Sequence, residues 1–222
     1  MIAFIIQRLL QAVLVMLVVA LVSFSLFQFV GDPINNMVGQ EATVEQRDAL
    51  RERLGLNAPI PVQFARWVGN AVQGEFGVSY RIGEPVGQLL MERLPATIEL
   101  VFLSAVFALI GGVPMGVYTG LKPKSWLSQV FLTVSLIGIS LPTFLIGILM
   151  ILIFGVWLGW LPTFGRNGVV DLGPWSTSFL TVQGWASIVM PAFTLALFQL
   201  TLIMRLVRAE MLEVLRTDYI KF

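Results

Sequence analysis

The chain has 222 residues, 57% hydrophobic and 12% charged, with a formal net charge of +1 and a mean hydropathy of +0.85. That is the composition of a membrane protein, and it supplies no general basic field for nucleic acid. Neither Cys nor His occurs, which removes disulfides, thiolate or imidazole metal sites, and Ser–His or Cys–His catalytic pairs.

Residues 9–30 carry no charge, and at about 1.5 Å per residue they cover a hydrocarbon core of about 30 Å. Arg8 precedes this run, and no small-x-small site closes it. Residues 1–30 therefore read as a signal anchor that stays, not a cleaved signal peptide.

Residues 31–93 change character, with mixed charge and Gly/Pro punctuation. Thr43-x-x-Gln46 fits a capping box, and Leu50, Leu54 and Gly55 fit a short helix with a glycine stop. Pro61 suits the first position of a second helix, with Phe64, Trp67, Val68 and Ala71 on one side. Residues 85–93 fit a third short helix. The segment reads as a small folded element outside the membrane part.

The second predicted span covers residues 95–120. Glu99 is its one charge and lies a turn in, so it reads as an interfacial glutamate at a helix N-terminus rather than a substrate contact. Gly112-x-x-x-Gly116 permits close helix approach, and Pro114 permits a kink. Lys122-Pro-Lys124 forms a short basic loop. A third span follows over about 127–154, with Gly138, Ser140, Pro142 and Gly147 at mid-membrane. Such a place flexes or unwinds, either to line a path or to pack tightly. Residues 155–185 form a second polar connection. Trp157, Trp160, Trp175 and Trp185 suit a membrane–water boundary, and 158–162 reads as a turn. The fourth span, 186–204, contains Pro191 and the polar Gln199. Ser140, Pro142, Thr143 and Gln199 are thus pathway candidates, although their polar groups equally suit a bond to a neighbouring helix.

Residues 205–222 turn abruptly charged. At 100° per residue, Val207, Met211, Val214, Leu215 and Phe222 share one face. Glu213 with Arg216 and Asp218 with Lys221 make favourable i,i+3 pairs. The stretch reads as an amphipathic helix leaving the last span, lying on anionic lipid or docking on a soluble partner. Arg8, the Lys122/Lys124 loop and this tail fall on one side of a four-span path. The positive-inside rule makes that side cytoplasmic and puts both large loops outside. No phosphate-binding Gly-rich loop with its Lys is present. The fold class is an all-α membrane protein, a polytopic helical bundle of four predicted spans.

Several stretches carry a resemblance in their order and spacing: Phe4-Ile-Ile-Gln-Arg-Leu-Leu10; a span ending Gly31-Asp-Pro33; Leu54-Gly-Leu-Asn-Ala-Pro-Ile-Pro-Val-Gln63 with Trp67, Gly69 and Asn70; Gly74-Glu-Phe-Gly77; Gly83-Glu-Pro-Val86; Glu92-Arg-Leu-Pro95 with Thr97 and Glu99; and Gly159-Trp-Leu-Pro162. Over its whole length the chain resembles a bacterial dipeptide/oligopeptide-type ABC transporter permease, with a type-1 permease domain over 94–222. The resemblance implies a second, homologous permease subunit, two cytoplasmic ATP-binding subunits, a periplasmic substrate-binding protein and the bacterial inner membrane, with no cofactor and no catalysis in this chain. It implies that Glu210, Glu213, Arg216, Asp218, Tyr219, Lys221 and Phe222 belong to the lead-in and opening of the loop that docks in the ATP-binding subunit. The loop's hallmark Gly and two further spans are then expected beyond Phe222. Nickel, glutathione or another small solute is the alternative cargo, and a scaffold or channel without an ATPase is the alternative class.

Overall fold

The computed structural model describes all residues except 30–33, 35–42, 80 and 216–222. In chain order its elements are α1 (Ile2–Phe29), α2 (Val44–Arg53), α3 (Ile60–Val72), α4 (Val86–Leu121), α5 (Trp126–Ser140), α6 (Thr143–Met150), a π-helical segment (Ile151–Trp157), β1 (Val170–Leu172), β2 (Trp175–Thr177) and α7 (Val182–Val214). Among the described residues, Ile2–Leu26, Val86–Leu121 and Val182–Val214 are long and apolar enough to cross a membrane. The pair Trp126–Ser140 and Thr143–Trp157 makes a fourth span if counted as one, bent by 107°. The chain divides into two compact units, Met1–Leu90 and Met91–Phe222.

In the first unit, α1 is an apolar helix with almost every described side chain exposed. The anticipated capping box opens α2: the Gln46 amide donates to Thr43 Oγ1 at 3.3 Å and the Thr43 amide to Gln46 Oε1 at 3.2 Å. Gly55 closes α2 at φ 68°, a conformation that suits glycine. The Gln63 side chain then donates to the Leu56 and Ala58 carbonyls at 3.0 and 2.7 Å, tying the turn to α3. Phe24, Phe64 and Trp67 form an aromatic cluster with centroids 5.6–6.4 Å apart.

The short helix expected over 85–93 is not separate. α4 runs unbroken from Val86 through Pro95 and Pro114 to Leu121. Proline is tolerated inside such helices where neighbouring helices, Ser/Thr side chains or local backbone adjustment re-satisfy the carbonyl it leaves free.

The second unit is built on a parallel α4–α7 pair. A Cβ added at Gly112 would lie 2.9 Å from the Leu200 carbonyl oxygen, at Gly116 2.7 Å from Val207 Cβ, and at Gly120 2.7 Å from Met211 Cβ. The contacts advance four residues along each helix per turn, so both helices run in the same direction. The glycines let the backbones approach where any side chain would intervene. Further along, Leu103, Ile188 and Ala192 form a small buried core, with Leu100, Phe107 and Phe179 against it. Near Gly120 the chain reverses through Lys122 and Ser125, and Tyr118 meets Phe131 edge-on at 6.1 Å. This sets α5 antiparallel to α4.

Among the described residues, the 155–185 connection holds the two short strands. β1 pairs antiparallel with β2 in the register Val170↔Thr177 and Leu172↔Trp175. Gly173 takes φ 71° at the first loop position and Pro174 fixes the second, a two-residue hairpin turn. α7 then starts at Thr181, whose side chain accepts from the Gly184 amide at 2.9 Å. This helix continues without interruption to Val214, so the fourth span and residues 205–214 of the tail are one rod.

Candidate functional site

The third predicted span breaks at the expected place. Pro142 disfavours helical geometry in the residue before it, and Leu141 is extended at φ −88°, ψ 135°. α5 therefore ends at Ser140 and α6 restarts at Thr143. Ser140, Pro142 and Thr143 are exposed around this bend. Neither the Ser140 nor the Thr143 hydroxyl has a hydrogen bond among the described residues. The buried hydroxyls of α5 and α7 instead bond back within their own helix: Ser135 donates to the Leu132 carbonyl at 2.8 Å, Thr194 to Met190 at 2.9 Å and Thr201 to Leu197 at 3.0 Å.

Gly138 seats α5 on α7, where its added Cβ would lie 3.1 Å from Thr201 Oγ1 and 4.0 Å from the Leu197 carbonyl oxygen. Gln199 stands about 160–200° round α7 from those two residues and is exposed. The structure thus gathers Ser140, Pro142 and Thr143 at the bend and leaves Gln199 on another face. Pro142→Ala is expected to restore a backbone donor and straighten the break. Spin labels at Val130 and Ile148 would then move apart. An unchanged distance would mean that packing on α7 alone holds the bend.

A second polar centre escaped the sequence reading. Glu99 is 2% exposed and lies well inside α4 rather than at a helix N-terminus. Its Oε2 accepts from Arg166 Nη2 at 2.7 Å, and the Ser178 amide donates to both carboxylate oxygens at 3.1 and 3.2 Å. Arg166 also donates from Nε to Ser178 Oγ at 2.9 Å, from Nη1 to Ser176 Oγ at 2.9 Å and from Nη2 to the Ser176 carbonyl at 2.8 Å. Four of the five guanidinium donors are therefore used. Gly165 and Gly168, at φ 82° and 66°, turn the chain on either side of Arg166. The Thr181 hydroxyl donates to the Gly168 carbonyl, closing the loop on the start of α7. This network fastens the loop and hairpin to α4. Its one signal in the sequence was a lone Glu inside an apolar run and a lone Arg in the following polar connection.

In the tail, Glu210 and Glu213 are exposed. Arg216, Asp218, Tyr219, Lys221 and Phe222 lie outside the described residues. The apolar face read from the sequence is partly spent within the chain: Val207 and Met211 pack on Gly116 and Gly120, while Val214 is exposed. Val207 and Met211 are therefore not part of a free apolar face, because the glycine stripe extends to the end of α4 and draws them in. Among the described residues, no group of three or more His, Cys, Asp or Glu is placed to hold a metal.

Two family models match this chain. The N-terminal part of the binding-protein-dependent transport system membrane component matches residues 1–101. The binding-protein-dependent transport system inner membrane component matches residues 112–222. The chain belongs to this family. It is a multi-pass membrane component of a binding-protein-dependent importer, and the family consists of transport components rather than enzymes. A putative peptide transport system permease of Brucella suis biovar 1 is 37% identical over 221 residues, which cover 99% of this chain and 68% of the relative. The oligopeptide transport system permease of Bacillus subtilis is 36% identical over 221 residues, with the same coverage, 99% and 68%. The dipeptide transport system permease of Alkalihalophilus pseudofirmus is 34% identical over 234 residues, covering 100% and 70%.

Proposed function

We propose that this chain forms part of the pathway of an ATP-driven importer for dipeptides and oligopeptides in the bacterial inner membrane. The observation that carries the reading is the match along nearly the whole chain to relatives named as peptide, oligopeptide and dipeptide permeases. A second permease subunit would complete the pathway, two ATP-binding subunits would hydrolyse ATP, and a substrate-binding protein would deliver cargo. The N-terminus and the α7 tail would be cytoplasmic and both large loops periplasmic, because the short Lys122/Lys124 loop is purely basic. Ser140, Pro142 and Thr143 would face the path at the α5–α6 bend, and Gln199 would border it from α7.

Coupling would run through the tail. α7 is continuous with the membrane span, so a displacement of Glu210 and Glu213 moves the rod that α4 grips. Arg216, Asp218, Tyr219, Lys221 and Phe222 would extend this contact to the ATP-binding subunit. Asp218→Ala with Tyr219→Ala in the full-length protein is expected to reduce co-purification of the ATP-binding subunit about tenfold or more, as losing interface anchors does. Undiminished association would remove the coupling role from these residues. A glutathione transport permease of Escherichia coli is 31% identical over 222 residues, so glutathione belongs in the cargo panel beside dipeptides and longer peptides.

A further inference from the structure

The α4–α5 turn and the adjoining part of α7 collect cations that no acid among the described residues neutralises. Lys122, Lys124 and Arg205 are exposed, and Arg208 is half-buried. The contact of Gly120 with Met211 and, at 3.6 Å from its added Cβ, with the Arg208 carbonyl sets Arg208 beside the last turn of α4. Lys122 follows two residues later. Arg205 is one turn from Arg208 on α7. None of the four has an acidic partner among the described residues. Glu210 and Glu213 stand about 140–200° round the helix from Arg208.

Two features distinguish this cluster from a solvated face. The Arg208 Nε is enclosed and has no hydrogen-bond partner among the described residues, which is costly for a charged donor unless an acceptor arrives. The turn is also held in shape. The Lys122 amide donates to Tyr118 at 2.9 Å, the Ser125 amide to Lys122 at 3.1 Å, and the buried Ser128 hydroxyl to the Lys122 carbonyl at 2.7 Å. The Lys122 ammonium sits 5.9 Å from the Tyr118 ring centroid. Trp126, exposed at the start of α5, supplies the amphipathic ring found at a membrane–water boundary.

We propose that this turn is a binding site for the phosphate of an anionic phospholipid, with Arg208, Lys122 and Lys124 as its cations and Trp126 against the acyl-chain boundary. Lipid is favoured over an acidic protein surface because the cluster starts where the apolar helix α4 stops. The ligand's phosphodiester lies at that depth, and basic residues near such a surface gain directly from it.

The test places the full chain in nanodiscs of phosphatidylcholine containing a minor fraction of phosphatidylglycerol and measures the lipid retained by native mass spectrometry. Phosphatidylglycerol is expected to be enriched. Arg208→Gln is expected to lower the enrichment about fivefold, and Lys122→Gln with Lys124→Gln by about as much per cation removed. The lysine pair is exposed, so it reports even if the Arg208 variant folds poorly. Arg81→Gln, in the first unit, should change nothing. Equal retention of both lipids, or enrichment unaffected by the lysine pair, would overturn the proposal. So would stabilisation of the detergent-solubilised chain by inorganic phosphate equal to that by the lipid, which would make the ligand a free anion. Loss of ATP-binding-subunit association with lipid enrichment intact would assign the cluster to a protein partner instead.

Discussion

Arg166→Ala is expected to lower the stability of the protein by about 3–5 kcal/mol, the usual result of removing one partner from a buried ion pair. The reason lies on Glu99. At 2% exposure its carboxylate would keep the Ser178 amide but lose the guanidinium that compensates its charge. The loop would lose its fastening as well, since Arg166 also bonds the Ser176 carbonyl and two serine hydroxyls. Glu99→Gln should cost less, because an amide is neutral and still offers an oxygen to Ser178. With Arg166→Ala and Glu99→Gln combined, the loss should fall short of the sum of the single losses, with a coupling of up to about 3 kcal/mol. Denaturant unfolding in detergent, followed by tryptophan fluorescence, gives all three values. Additive losses would mean that the pair is not energetically coupled and that its short distance carries little stability.

Gly116→Leu is expected to be as damaging by the opposite route. Its Cβ alone would lie 2.7 Å from Val207 Cβ and 2.8 Å from the Met204 carbonyl oxygen. Backbone cannot yield as a flexible side chain can. Overpacking of this kind costs about 1–3 kcal/mol, and more where the obstacle is rigid. Folded yield after solubilisation, read by size-exclusion chromatography, should collapse, and Gly116→Ala should show the same direction more mildly. Gly69→Ala supplies the contrast. That helix position has nothing within 4 Å, so the substitution should stabilise by about 0.5–1 kcal/mol through helix propensity. If Gly116→Ala were equally benign, α4 and α7 would not be in the close parallel contact described.

These two sites also mark where the sequence was legible and where it was not. Local rules succeeded where a few adjacent residues decide the outcome. Thr43 and Gln46 specify a cap between themselves, Gly55 stops its helix, and Pro142 acts on the residue just before it. The long apolar runs announced the spans for the same reason. Contacts between distant positions were hidden. Glu99 and Arg166 are 67 residues apart, and each alone looks like an ordinary boundary charge. The Gly112–Gly116 pattern was visible but not its partner, because many helix faces can meet a small-residue stripe. Of the tail's expected apolar face, Val207 and Met211 are occupied by α4 rather than left free. The three-residue strands of the hairpin are too short for an alternating pattern to register.

The central claim is best tested by reconstituting this permease chain, in its full-length form, into proteoliposomes with its second permease subunit and ATP-binding subunits. Entry of labelled di- and oligopeptides is then measured with the binding protein outside and ATP inside. Accumulation that requires ATP, the binding protein and this chain together, and that labelled glutathione does not match, is the predicted result. Peptide entry without ATP, or no entry with all components present and an active ATPase, would contradict the account.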